Sequence, residues 1–314
     1  MNIVFLESLG VCENQFDEAV AGLRLQGHRV SYFPDRTEDE EELIARARKA
    51  EIVVVSNIPL QKGFFKECPK LKMLSVAFTG VDHVDLDECR RRRIVVCNAA
   101  GYSTQAVAEL AIGMMIAVYR KIVGGDSIIR ILGSRQGFLG SELGGKTVGV
   151  IGLGAIGQRV ARLAEAFGCK VLAYNRSWKE VPGVTLVDKA ELLSQSDIVT
   201  VHLPLNENTR DFMKMEDFLQ MSPHAILINT SRGPIVNSHD LFEALRKGII
   251  AGAAMDVYEQ EPPLPAGYEL FNAPNLLMLP HLGYATREAF RVRFGIVVKN
   301  IEMWLAGTPQ NRCI

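Results

Sequence analysis

Apolar residues recur along this chain in two rhythms. Short runs of four or five, many of them β-branched, alternate with longer stretches in which apolar residues return every three or four positions. The short runs read as buried parallel strands and the longer stretches as the helices that cover them. In the first hundred residues, strands are expected at 2–6, 29–33, 52–56, 73–76 and 94–97, with helices near 16–26, 39–49 and 85–91. A second series has strands at 147–151, 170–174, 198–202, 225–229, 252–256 and 276–279. Alternation of this kind predicts an α/β protein with two parallel sheets, each covered on both faces.

Two helices stand outside the alternation. Residues 106–122 are apolar on almost every side, so this helix must be covered, either by its own domain or by a second subunit. At 286–305, Phe290, Phe294, Val297, Val298, Ile301 and Leu305 form one stripe. This helix follows the last strand of the second series and is expected to pack back on the first domain. The domains are then 1–98 with 286–314, and 99–285. Two crossings, near 98–102 and 283–286, make a hinge, and the cleft it spans is the expected active site.

The chain has 314 residues, 48% hydrophobic and 23% charged, with a net charge of −1. A balance this even gives no global attraction for nucleic acid or membranes. The acidic run from Thr37 to Glu40 reads as a capping box with Thr37 as N-cap. Arg90 to Arg93 falls where a helix starting near Asp85 ends, a favourable place for cations. The six cysteines form no C-x-x-C pair, which suits reduced thiols in a cytoplasmic protein and suggests no metal site. No secretory signal is expected at the N-terminus. The richest apolar run, 106–119, is broken by Glu109 and is short for a bilayer span.

The chemistry begins at Thr147–Gly157, T-V-G-V-I-G-L-G-A-I-G. A strand runs into Gly152-x-Gly154-x-x-Gly157, and a helix follows with Val160, Leu163, Ala164 and Phe167 on one face. That context makes the glycine pattern a dinucleotide site. Gly152 permits the tight turn, Gly154 admits a pyrophosphate to the backbone, and Gly157 lets helix and strand close up. Ala155 and Ile156 are expected beside the cofactor, just before a helix at 158–167 whose N-terminal N–H groups face the phosphates. The next strand ends in Asn175, Arg176 and Ser177. No acid stands there to grip a ribose 2′-OH, and Arg176 with Ser177 suits a 2′-phosphate. The cofactor is therefore NADP or NAD, with NADP favoured.

Three residues follow successive strands of the second series: Arg232 in N-T-S-R-G, Glu261 in D-V-Y-E-Q-E-P-P and His281 in L-P-H-L-G. In open α/β sheets ligands bind beyond the carboxyl ends of the strands. Hydride transfer to a ketone leaves charge on oxygen. His281 can protonate that oxygen, with Glu261 favouring the imidazolium and orienting the ring. Arg232 can bind a substrate carboxylate and polarise the carbonyl.

These pieces, with A-F-T-G-V-D-H-V-D at 77–85, N-A-A-G-Y-S-T-Q-A-V-A-E at 98–109 and H-L-P-L at 202–205, resemble the D-isomer-specific 2-hydroxyacid dehydrogenases over nearly the whole chain. The resemblance implies a Rossmann cofactor domain inserted into a flavodoxin-like substrate domain. It implies catalysis by Arg232, Glu261 and His281, and a carboxylate loop at Ala77, Phe78, Thr79 and Gly80 that uses backbone N–H groups, as a glycine turn can. It adds His202 and Pro204 beside the adenosine, Asp256 at the nicotinamide amide, and Thr104, Thr209, Thr230, Ser231 and Gly283 to the cofactor's surroundings. It also implies a homodimer through the cofactor domain, covering the helix at 106–122. Asn175 and the bulky Phe78 depart from many relatives. The expected activity is reduction of a 2-keto acid to an (R)-2-hydroxy acid. The alternatives are a nucleotide-sensing scaffold similar to corepressors of this fold, or a dehydrogenase of formate or phosphite.

Overall fold

The computed structural model describes residues 1–314 and divides into two units, Met1–Ser103 with Thr286–Ile314, and Thr104–Ala285.

In the first unit the chain runs β1 (Asn2–Phe5), α1 (Glu13–Leu25), β2 (Arg29–Tyr32), α2 (Glu40–Ala47), β3 (Ile52–Val55), α3 (Lys62–Glu67), β4 (Met73–Val76), α4 (Leu86–Arg92) and β5 (Val95–Cys97). All neighbouring strands are parallel, in the order β2-β1-β3-β4-β5, the flavodoxin-like arrangement. β3 and β4 are buried at every position, as strands covered on both faces must be.

The second unit holds α5 (Thr104–Tyr119), α6 (Ile122–Arg130), β6 (Thr147–Ile151), α7 (Ala155–Ala166), β7 (Lys170–Tyr174), β8 (Val184–Leu186), α8 (Lys189–Gln195), β9 (Ile198–Val201), α9 (Met215–Phe218), β10 (Ile226–Asn229), α10 (Ser238–Arg246), β11 (Gly252–Met255) and β12 (Leu276–Met278). Its seven parallel strands lie in the order β12-β11-β10-β9-β6-β7-β8. The order reverses at β6, between β9 and β7, and at this switch point a crevice opens for a ligand. Val148, Val150 and Ile228 pack with Val160 and Ala164 of α7 on one face. On the other, Val199, Val201 and Leu227 pack with Leu192 of α8 and Leu241 of α10.

Helix α11 (Arg287–Leu305) belongs to the first unit. Its Phe294, Val297, Val298 and Ile301 join the core formed by Phe5, Phe16 and Ile52. Phe290, also on the expected stripe, is only half-buried.

Two local expectations are corrected. The acidic run caps α2 through Asp39, whose Oδ1 accepts from Glu42 N at 2.9 Å, while Thr37 Oγ1 accepts from Asp39 N. The Asp39-to-Glu42 spacing places the carboxylate on the third helical N–H, so the helix starts at Glu40. The helix at 106–122 ends at Tyr119, because Lys121 turns left-handed with φ 52° and α6 sets off anew. Its own unit buries Val107, Ala108, Ala111, Ile112, Met114 and Met115 of α5, which answers the question of cover in large part. The edge strand β8 and the six-residue α3 carry too few residues to show a rhythm.

The six cysteines are free thiols, four of them buried. Burial pushes Cys68 and Cys97 up to about 11 and Cys89 up to about 12, so none of these three is a thiolate at neutral pH. No helix is long and apolar enough to cross a membrane.

Candidate active site

Everything at the carboxyl edge of the second unit's sheet starts from the glycine turn after β6. Gly152 has φ +98°, and its N–H donates to Tyr174 O at 2.9 Å. A Cβ on Gly152 would lie 2.6 Å from the His202 carbonyl oxygen, and one on Gly157 would lie 1.9 Å from Gly152 O. Both glycines are therefore required by packing within the protein. Gly154 is different: it caps α7 without a side-chain bond, and a Cβ there would meet nothing within 4 Å. The first turn of α7 thus opens onto space with its N–H groups leading, which suits a diphosphate.

The turn after β7 braces this loop. Asn175 Oδ1 accepts from Leu153 N at 3.1 Å, and its Nδ2 donates to Ser177 O at 2.8 Å. Both ends of the amide are engaged by protein, so Asn175 serves to hold the glycine loop. Arg176 and Ser177 are exposed. Lys179, which sequence reasoning passed over, donates from Nζ to Leu153 O at 3.2 Å and adds a cation beside the turn. Its only sequence signal was the cationic run R-S-W-K.

His202 follows β9, with its Nε2 2.9 Å from Thr200 Oγ1. Burial pulls its pKa down to about 3, so the ring is neutral at working pH. Thr209 Oγ1 donates to Pro204 O at 2.6 Å and accepts from Asn206 N at 2.8 Å, fixing the loop that carries Pro204. After β10, buried Asn229 organises N-T-S-R-G. Its Oδ1 accepts from Ser231 N and Oγ, and its Nδ2 donates to Arg232 O at 3.0 Å. The role of Asn229 shows in bonds to the backbone rather than in charge, so the sequence alone does not single it out within the motif. The buried Thr230 Oγ1 has no hydrogen-bond partner in the protein, an orphan that a bound polar group would satisfy. Arg232 is half-buried and donates from Nη1 to Ser231 O at 2.9 Å.

Beyond β11 and β12 lie the acid and the base. His281 has a left-handed backbone, φ 57°. Its Nδ1 sits 2.9 Å from both Oε1 and Oε2 of Glu261. A carboxylate only accepts, so Nδ1 carries the hydrogen and Nε2 is left to exchange protons. The His281 side chain is 11% exposed against 48% for Glu261. Tyr284 meets the imidazole edge-on, with ring centres 5.0 Å apart.

Asp256, expected at the nicotinamide amide, grips the histidine loop. Its two oxygens accept from Leu282 N and Gly283 N, each at 2.7 Å. Burial raises its pKa, while those N–H groups and the nearby His281 oppose the rise. A Cβ on Gly283 would lie 3.0 Å from Asp256 Oδ2, so glycine keeps this grip short. Thr104 is the first residue of α5, which packs on α7.

In the first unit, the loop at Ala77–Gly80 follows β4. Phe78 O accepts from Ala99 N at 2.9 Å, and Thr79 O accepts from Asn98 Nδ2 at 2.8 Å. Both carbonyls are therefore turned to the protein, the orientation a loop needs to present N–H groups to an anion. Ala77, expected among the donors, is corrected, because its N–H continues the strand pairing to Val55 O at 2.7 Å. Asn98 does this unforeseen, since an amide bond to a carbonyl leaves no sequence mark. Phe78 is buried, with its ring 6.2 Å from that of Tyr102.

The groups for a nicotinamide dinucleotide are thus present: an open helix terminus for its diphosphate, cations at the β7 turn and an orphan hydroxyl at the β10 turn. The same edge carries a guanidinium and a carboxylate-paired imidazole.

Comparison with known proteins agrees. A family profile described as "D-isomer specific 2-hydroxyacid dehydrogenase, NAD binding domain" matches residues 112–283. The chain is 38% identical over 280 residues to a glycerate dehydrogenase of Methylorubrum extorquens, covering 86% of this chain and 88% of that protein. It is 37% identical over 278 residues to a glyoxylate reductase of Thermococcus litoralis, covering 84% of this chain and 83% of that one. Among solved structures, an acyclic imino acid reductase in complex with NADPH and D-Arg superposes with a TM-score of 0.91 at 31% identity, over 100% of both chains. This chain belongs to the D-isomer-specific 2-hydroxyacid dehydrogenase family and is an NAD(P)-dependent oxidoreductase of it.

Proposed function

We propose that this enzyme reduces a small 2-keto acid to the (R)-2-hydroxy acid, with NADPH preferred to NADH. The observation that carries the reading is the His281 imidazole held by both oxygens of Glu261, on the same sheet edge as Arg232 and the glycine turn. The reduced nicotinamide, when bound, supplies the hydride. His281 Nε2 gives a proton to the carbonyl oxygen as the hydride reaches the carbon, and takes it back in the reverse direction. Glu261 holds the ring and stabilises its charged form. Arg232 draws the carbonyl oxygen and one carboxylate oxygen into place. In the first unit, the Thr79–Gly80 backbone is the part of the loop proposed for a carboxylate, since Ala77 N already donates to Val55 O at 2.7 Å.

Glyoxylate, whose product glycolate is achiral, and hydroxypyruvate, whose product is (R)-configured, are the substrates this reading favours. The relatives' names point to two- and three-carbon acids. The cofactor preference rests on Arg176, Ser177 and Lys179, with no acid among residues 175–179. A complete proton-transfer set argues against a purely nucleotide-sensing scaffold.

A second copy of the chain is the proposed partner. Helix α6 has no buried residue, and Ile122, Val123, Ile129, Ile131, Leu132 and Leu139 stand exposed on it and beyond it. The dimer surface therefore centres on 122–139 rather than on the helix before it. Sedimentation is expected to give a dimer that Leu132→Glu with Ile129→Glu dissociates; an unchanged mass in that variant would remove this surface from consideration. Free cysteines suit a reducing, cytoplasmic setting.

The deciding experiment is a screen of keto acids with NADPH and NADH in parallel, with formate and phosphite tested against the oxidised cofactors. Oxidation of NADPH by glyoxylate or hydroxypyruvate, at a higher kcat/KM than NADH, is expected. Cofactor binding without turnover of any keto acid would overturn the reading.

A further inference from the structure

The mechanism asks three loops to hold a fixed relation, and one side chain the mechanism does not use joins them. Tyr258 lies between Asp256 and Glu261 and is 8% exposed. Its hydroxyl lies 3.1 Å from Met255 O and 2.9 Å from Leu279 O, donating to the pair. Met255 ends β11 just before Asp256, and Leu279 stands two residues before His281. The hydroxyl therefore pins together the two strand ends from which the carboxylate and the imidazole depart. Leu279 N also donates to Met255 O, at 2.9 Å, and continues the strand pairing to the same point.

The β10 turn meets Tyr258 from the other side. A Cβ on Gly233 would lie 2.0 Å from the Tyr258 carbonyl carbon and 2.2 Å from its oxygen. Glycine after Arg232 thus lets the arginine loop rest directly on the Tyr258 backbone. The ring itself is fixed: Tyr268 meets it edge-on at 5.9 Å, and Tyr268 Oη donates to Glu259 Oε2 at 2.6 Å. Ser238 Oγ donates to the other oxygen of Glu259. Burial raises the Tyr258 phenol well above the ordinary tyrosine value, so it remains a donor.

We infer that Tyr258 is a positioning residue for this reaction, its hydroxyl fixing His281 in register with Arg232 through the strand ends and backbone it joins. This rests on the proton-transfer role assigned to His281 above. A buried tyrosine serving only stability would resist heat and leave the chemistry alone. A positioning residue governs how well the acid meets its target, and small misplacements from groups remote from the chemistry cost rate steeply.

The test is Tyr258→Phe, which keeps the ring and removes one oxygen. Four measurements are made on the intact protein: NADPH affinity by fluorescence titration, kcat and KM with glyoxylate, the melting temperature, and the His281 ring Cε1–H resonance without substrate. The expected result is a kcat lowered about ten- to a hundredfold, NADPH affinity within about twofold, and a displaced His281 resonance. An unchanged kcat together with a superimposable resonance would overturn the inference. So would a parallel loss of NADPH affinity and melting temperature, which marks a general structural role. Wild-type protein that turns over no keto acid fails the parent reading, and the His281 resonance then decides the positioning claim alone.

Discussion

At the residue scale, two histidines on one sheet edge meet different partners. His281 is paired to a carboxylate, whereas buried His202 has only the Thr200 hydroxyl, and its pKa falls to about 3. Its folded value lies below the unfolded one, so protonating His202 opposes folding only as pH falls below the ordinary histidine range. Across the working range it is neutral. We expect His202→Asn to leave both limbs of the kcat/KM pH profile in place, while an acid limb that moves would show His202 titrating in catalysis. Arg232, Glu261 and His281 were legible because charged groups after successive parallel strands point to chemistry. Asn98, Asn229, Tyr258 and Lys179 were not, because they act through bonds to backbone carbonyls and N–H groups. The bonds from Leu282 and Gly283 to the two oxygens of Asp256 left no mark in the sequence for the same reason.

At the element scale, the glycine turn separates packing from binding. Gly157→Ala drives a Cβ into Gly152 O, so α7 must retreat from β6. Overpacking of this kind costs about 1–3 kcal/mol of stability, and cofactor affinity should fall with it. Gly154→Ala meets open space. Melting temperature should hold while cofactor affinity falls, because the added methyl stands where the phosphates approach. Calorimetry of both variants checks this contrast, and a Gly154→Ala protein that binds cofactor normally would contradict it. The buried central strands were readable from four or five consecutive apolar residues. The edge strand β8, half-exposed and three residues long, was not. Nor was α6, whose apolar residues face away from its own unit's core and so imitate a loop in sequence.

At the scale of the whole molecule, one buried carboxylate gives stability a pH dependence. Glu7 follows β1, accepts from Ser56 N at 2.7 Å and pairs with Arg36 at 2.9 Å. Burial outweighs these partners and raises its pKa. The folded state therefore holds this proton to higher pH than the unfolded state, so Glu7 lowers stability as pH rises from the ordinary carboxylate range through the raised value. Below that range the penalty is absent. Relative to Glu7→Gln, the wild-type melting temperature should decline as pH rises across this window; a constant difference would contradict the assignment. The most direct test of the whole account is a single-turnover comparison of wild type with His281→Asn, using NADPH and whichever keto acid the wild type reduces. The account predicts that the variant binds NADPH as wild type does but oxidises it about 10²- to 10⁴-fold more slowly. Near-normal oxidation by His281→Asn would show that the proton comes from elsewhere and would contradict the assignment at its centre.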